Sequence, residues 1–244
     1  MRKVFVVGIG PGDAAGMTGQ ALAALREADL LVGYDLYIDL VRPLFPDKPV
    51  VATGMTRERE RCRAALEAAA GGRTVAVACG GDPGVYGMAG LVYELAAEYP
   101  PVDIEVVPGV SAAMACAALL GAPLMNDFAV VSLSDLLIPW ETIAKRLRAA
   151  AAADFVICLY NPASKRRPDH LLRACDIILE QRSSATLCGW VRNASREGYS
   201  KGLLPLSKLR EWRADMFCTA FVGNSATREL CGIMVTPRGY GSGA

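Results

Sequence analysis

TVAVACGGDPGVYGMAGLVYELAAEY, residues 74–99, passes from a continuous apolar strand pattern (74–79) through a glycine-dense turn (80–90) into an apolar helix pattern (91–99). Gly80, Gly81, Gly84 and Gly87 stand close together with one carboxylate, Asp82, among them. A simple strand-to-helix link needs one glycine; several let the backbone take positive φ and let a ligand approach the main chain. Asp82 is an acceptor for a hydroxyl or ammonium group, or a cap for the helix that follows. Two further strand-to-turn junctions, GIGPGD (8–13) and PGVSAA (108–113), have similar chemistry. Three such junctions in one half of a chain point to a small-molecule pocket at the carboxyl ends of parallel strands.

Outward from this stretch, strand and helix patterns alternate. KVFVVG (3–8), LLVG (30–33), VVAT (50–53), TVAVAC (74–79) and IEVVPG (104–109) read as strands. TGQALAALREA (18–28), with Thr18 as cap, 56–72 and SAAMACAALLG (111–121) read as helices. Continuous apolar strands between helices imply a mainly parallel sheet covered on both faces. Gly121-Ala122-Pro123 marks a boundary, giving an N-terminal α/β domain over 1–121 and a C-terminal α/β domain over 122–244. In the second, FAVVSL (128–133), FVICLY (155–160), TLCGWV (186–191) and TAFVG (219–223) are strands, with helices from Pro139 and after Pro168. The crossover 192–218 contains Gly198, Gly202 and Pro205 and only a brief helical stretch, LSKLREW, so a mixed sheet with antiparallel pairing is expected. The terminal GYGSGA (239–244) has no core pattern and is expected to be disordered.

Composition narrows the function classes. Over 244 residues, 26 Lys and Arg oppose 25 Asp and Glu for a net charge of +1, so no global field collects nucleic acid or a membrane surface. Eight cysteines without a CxxC pair lie mostly in apolar elements, which indicates free thiols in a reducing compartment. The single histidine, His170, offers no metal cluster, and no metal site is expected. The N-terminal apolar run is too short for a signal peptide, and no apolar stretch approaches the roughly 20 residues that span a bilayer. The chain reads as cytoplasmic.

Each remaining motif has a bland and a functional reading. GIGPGD approximates the dinucleotide fingerprint GxGxxG, but Asp13 stands at the third glycine position and Pro11 stiffens the turn; Asp35, after the second strand, keeps an NAD-dependent oxidoreductase open. PGVSAAMACAALLG (108–121) allows close helix packing, or places Ser111 and first-turn N–H groups at a ligand. LYNP (159–162), VRNAS (191–195) and GNSATR (223–228) each end a strand with polar residues, as Asx turns or as a common rim. SLSDLLIPWE (132–141) clusters Ser132, Ser134 and Asp135, which cap a helix or act on substrate. SKRRPDH (164–170) is a solvated loop or a receiver of an anion.

In this order, these motifs resemble the tetrapyrrole methylase family over about 3–240. SLSDLLIPWE, LYNPASKRRP, GNSATR and the terminal MVTPRGY (234–240) are similar to its branch acting at C-17 of precorrin-3B or cobalt-factor III in cobalamin biosynthesis. The resemblance implies an enzyme that takes a methyl group from S-adenosylmethionine, leaves S-adenosylhomocysteine, and contracts the macrocycle. It implies a cofactor folded in a cleft between two α/β domains and held largely by main-chain groups. By motif, Pro11, Gly80, Gly81, Asp82, Val85, Ser111 and Ala112 contact it from the first domain, and Tyr160, Ala194 and the adjacent Asn193 from the second. Proton transfers in ring contraction fall to Asp135, Ser132 and Ser134, with Arg192 and Tyr34 behind them. Arg57, Arg59, Arg166, Arg167 and Arg238 are candidate anchors for substrate carboxylates. The expected partners are a tetrapyrrole and a second copy of the chain, with neither nucleic acid nor membrane. Methylation at C-11 or C-20 is the nearest alternative, and TPRGY and SLSDLL favour C-17. An RNA-modifying role is the third, opposed by the near-neutral charge and the lack of a basic, aromatic-laced surface.

Overall fold

The computed structural model describes residues 2–240, and its contacts divide it after Ala112 into two compact units. In the first, β1 (Lys3–Gly8), α1 (Gly19–Glu27), β2 (Leu30–Tyr34), α2 (Asp35–Val41), β3 (Val50–Thr53), α3 (Glu58–Ala70), β4 (Thr74–Cys79), α4 (Ala89–Ala96) and β5 (Asp103–Val107) alternate as the patterning requires. The sheet order is β3-β2-β4-β1-β5, and every neighbouring pair is parallel.

The unbroken apolar strands follow from burial on both faces. Val4, Val6, Val32, Val75 and Val77 pack with Cys62, Leu66, Val92 and Leu95 of α3 and α4. Phe5, Val7, Leu31, Ala76 and Ala78 point the other way, onto Ala21, Leu25, Ile38 and Val41 of α1 and α2. Thr18 caps α1 as anticipated, its Oγ1 accepting from the Ala21 N–H at 3.0 Å. β1 and β4 are adjacent, yet the chain leaves β1 for one face and β4 for the other. Their carboxyl ends, with Gly8 and Cys79 in register, therefore form a topological switch point.

The second unit holds all but the first residue of α5 (Ala112–Leu120), then β6 (Gly121–Ala122), β7 (Phe128–Ser132), α6 (Trp140–Ala152), β8 (Val156–Tyr160), α7 (His170–Leu179), β9 (Leu187–Arg192), β10 (Ser200–Pro205), α8 (Leu206–Leu209), β11 (Cys218–Val222), β12 (Arg228–Leu230) and β13 (Ile233–Val235). Its main sheet, β10-β9-β11-β8-β7, is mixed: β7 and β8 are parallel and the other pairs antiparallel. α6, α7 and α8 cover one face through Ile143, Leu147, Leu171, Ile178 and Leu206. α5 uses the other, with Leu120 against Gly189 and the Cys116 thiol on Thr219, while the Lys201 ammonium donates to the Leu119 carbonyl. This is why the division falls before the break anticipated at Gly121.

The crossover 192–218 contains a strand the sequence reading missed. β10 pairs with β9, and Gly202, which looks like a breaker, sits opposite Trp190; a Cβ there would lie 2.9 Å from the indole nitrogen. β12, β13 and β6 form a second, three-stranded sheet, also unanticipated. Of GYGSGA (239–244), expected to be disordered, residues 241–244 lie outside the described residues. Among the described residues, no helix is long and apolar enough to cross a membrane, and no three His, Cys, Asp or Glu gather as a metal would need.

Candidate active site

At the switch point of the first unit, three turns pack on one another. Gly10 and Gly81 exchange two hydrogen bonds, of 3.1 and 2.8 Å. Gly81 takes φ +70, a conformation disfavoured for other residues, and the Gly109 backbone approaches so closely that a Cβ would lie 2.2 Å from the Gly81 carbonyl oxygen. Asp82 does not cap α4, which begins at Ala89. Instead its Oδ1 accepts from the Gly84 N–H at 2.8 Å and its Oδ2 from the Gly109 N–H at 3.0 Å, joining the turn after β4 to the one after β5. The glycine density thus serves turn-on-turn packing first. Each Asp82 oxygen keeps a further lone pair. Around this staple, Pro11, Gly80, Gly81, Ser111 and Ala112 are half-buried and Val85 is exposed. The Tyr37 ring covers Gly80 where a side chain would otherwise stand.

GIGPGD departs from a dinucleotide turn. Asp13 Oδ1 accepts from the Gly16 N–H at 2.7 Å and caps a short 3-10 turn, and α1 begins only at Gly19. No helix N-terminus meets Gly10, so the amide cradle a pyrophosphate needs is not formed there.

In the second unit, Ser132 and Tyr160 are in register at the carboxyl ends of β7 and β8. Ser132 Oγ accepts from Asn161 Nδ2 at 2.9 Å and from the Ser134 N–H at 3.3 Å. The Tyr160 hydroxyl accepts from the Ala113 N–H, in the first turn of α5, at 2.7 Å. Asp135, one-third exposed, faces His170 Nε2 through Oδ2 at 3.5 Å and Arg167 Nη1 through Oδ1 at 3.9 Å. Ser132, Ser134 and Asp135 therefore lie together, joined by Asn161, Arg167 and His170. SKRRPDH is not merely a solvated loop: Arg167 turns inward and Arg166 stays exposed. His170 was missed as a site residue. Its sequence signal was that the chain's only histidine follows a basic run.

Arg192 stands apart. It pairs with Asp215 at 2.5 Å at the end of β9, with β11 and β8 between it and β7, about 14 Å across the sheet from the Ser132 cluster. Asn193 and Ser195, with φ 50 and 54, flank Ala194 in the turn that follows. The carboxyl ends of β7, β8 and β9 share one rim, but GNSATR does not join it. β11 is antiparallel, and Val222 is in register with Ile157 and Cys188 near the start of β8 and β9, so residues 223–228 leave the opposite edge. There Arg182 donates to the carbonyls of Ala151, Gly223 and Phe155, each at 3.0 Å, and pairs with Asp154 at 2.7 Å; Ser225 also bonds Asp154. A cavity of about 530 Å³ opens beside this latch, but these polar groups are engaged with one another.

Of the other candidate anchors, Arg57 pairs with Glu60 at 3.0 Å, Arg59 is exposed, and Arg238 reaches the Met125 carbonyl at 3.4 Å. Tyr34, at the end of β2, has the buried Arg61 guanidinium 5.8 Å from its ring centre.

The chain is similar to known proteins along most of its length. Residues 3–206 match the family model for tetrapyrrole (corrin/porphyrin) methylases. A probable cobalt-factor III C(17)-methyltransferase of Salmonella typhimurium is 49% identical over 236 residues, covering 96% of this chain and 98% of the relative. A precorrin-3B C(17)-methyltransferase of a Sinorhizobium species is 41% identical over 246 residues, covering 97% and 96%. The crystal structure of the methyltransferase CobJ superposes with a TM-score of 0.89 at 38% identity, covering 96% of this chain and 99% of that one.

Proposed function

The chain belongs to the tetrapyrrole methylase family, and on that footing we propose that it methylates C-17 of precorrin-3B or cobalt-factor III from S-adenosylmethionine, with ring contraction, in cobalamin biosynthesis. One observation carries the cofactor assignment. The carboxylate of Asp82 is held by two main-chain amides at a topological switch point and keeps lone pairs for a ribose hydroxyl or an ammonium group. The choice of C-17 rests on what the two relatives are named for.

In this reading Pro11, Gly80, Gly81, Asp82, Val85, Ser111 and Ala112 of the first unit hold the cofactor, as do Tyr160, Asn193 and Ala194 of the second. The Tyr160 hydroxyl is held in place by the Ala113 amide. The sulfonium supplies a methyl group that is already electrophilic, so the residues mainly align it with a nucleophilic ring carbon. Positioning of that kind supplies up to about 7–11 kcal/mol of barrier reduction. Asp135 is the acid–base group on substrate, with Ser132 and Ser134 shaping its loop. Arg192, paired with Asp215, is assigned a substrate-carboxylate contact instead of proton transfer. A homodimer working in the cytoplasm completes the proposal.

Calorimetry with S-adenosylhomocysteine and NADH, followed by mass spectrometry and NMR of the product from each tetrapyrrole, tests it. Preferential S-adenosylhomocysteine binding and a contracted product methylated at C-17 are expected. Preferential NADH binding, or a methyl at C-11 or C-20, overturns the reading.

A further inference from the structure

His170 is the only histidine of the chain, is 3% exposed, and has no role in the scheme above. It is the first residue of α7, with its ring against Trp140 at 4.8 Å between centroids. Its Nδ1 lies 2.9 Å from the Leu133 carbonyl oxygen. A carbonyl only accepts, so Nδ1 carries the hydrogen, and in the neutral ring the bare lone pair is on Nε2. That lone pair faces Asp135 Oδ2 at 3.5 Å. Two unprotonated acceptors facing each other repel, whereas one proton between them makes a charge-assisted contact. The backbone thus fixes a tautomer suited to sharing one proton with Asp135.

The other side of the carboxylate is incomplete. Arg167 Nη1, 3.9 Å from Asp135 Oδ1, is buried and has no hydrogen-bond partner among the described residues. Buried donors of this kind are costly unless an acceptor arrives. The Arg167 Nε is already engaged with Ser164 Oγ at 3.2 Å, which holds the side chain in place.

We propose that His170 is a positioning residue for Asp135: it orients Oδ2, stores a proton on Nε2, and passes it through Asp135 to the substrate during ring contraction. In the transfer the Nε2–H bond breaks and an Oδ2–H bond forms, giving a neutral imidazole and a carboxylic acid. The acid then gives that proton to the substrate and returns to carboxylate, so one proton in all leaves the pair. The proposal rests on the reading that Asp135 works on a tetrapyrrole.

This chain, untagged and labelled with ¹⁵N-histidine, reports on one imidazole only. In long-range ¹H–¹⁵N spectra, D135N is expected to move the Nε2 resonance while Nδ1 keeps its proton. H170N retains an amide that reaches the Leu133 carbonyl but presents nothing at the Nε2 position. Unchanged S-adenosylhomocysteine binding and tetrapyrrole KM are expected for it, with kcat lowered roughly 100-fold and no further loss in the double variant with D135N. An Nε2 resonance indifferent to D135N, a normal kcat in H170N, or losses that multiply in the double variant would overturn the proposal while leaving the function intact. A wild-type chain that methylates no tetrapyrrole removes both.

Discussion

Gly109 is the residue at which the least change has the most effect. Its ideal Cβ would meet the Gly81 carbonyl oxygen at 2.2 Å and Gly8 atoms at 2.7 Å, all of them backbone, so nothing can rotate aside. Gly109→Ala must push the neighbouring turns apart, at a cost of about 1–3 kcal/mol as for overpacked cores. It should lower Tm and weaken S-adenosylhomocysteine binding together; unaltered binding in calorimetry would show that the turns are not the cofactor's support. Asp82→Asn is a subtler probe. The amide has one acceptor oxygen, so either the Gly84 or the Gly109 N–H faces an NH₂ group and goes unsatisfied, at about 1–3 kcal/mol. A rise in the dissociation constant of roughly tenfold or more is expected, since tenfold corresponds to about 1.4 kcal/mol. At this scale the glycine turns were legible in the sequence, because glycine clustering is local. That their first task is to pack on one another came from turns some 30 and 70 residues apart meeting in space.

Among elements, β11 decides which motifs can share a site. Strand content was legible from apolar runs such as CTAFV, but an apolar run has no direction. Antiparallel insertion between β8 and β9 sends GNSATR to the far edge, where Arg182 ties α6, β8 and β11 together through three carbonyls and Asp154. Arg182→Ala should therefore destabilise without touching the cofactor. A loss of about 3 kcal/mol, or roughly 6–12 °C in Tm, is expected with S-adenosylhomocysteine affinity unchanged. Thermal denaturation with and without the ligand checks both halves, and a selective loss of affinity would put residues 223–228 back at the site. β10 went unread for a similar reason. Its Gly202 looks like a strand breaker until Trp190 is seen to need the space above it.

For the whole molecule, seven of the eight cysteines are buried, which shields their thiols, and Cys231 is exposed. A thiol reagent at neutral pH should label Cys231 quickly and the other seven only in denaturant; rapid labelling of several would contradict the packing. Burial also sets an alkaline limit. Desolvation raises Cys62 and Cys116 to about 11 and Cys79, Cys175 and Cys218 to about 12, against 9.0 for an unburied thiol. Above pH 9 the unfolded chain gives up thiol protons that the folded chain keeps. Stability from this source is complete below that pH and falls as pH rises toward 11 and 12. Denaturant midpoints at pH 7.5 and pH 10 should show the decline, and an equal midpoint at both would refute it.

By itself the sequence determined the alternation of strand and helix, the parallel first sheet and the glycine turns, because hydrophobic period and backbone permissiveness are written in neighbouring residues. Only the tertiary structure decided that Asp82 joins two turns, that GNSATR lies off the rim, and that His170 stands beside Asp135. Those outcomes depend on strand direction and on contacts between residues some 30 to 70 positions apart, and a local pattern has no term for either.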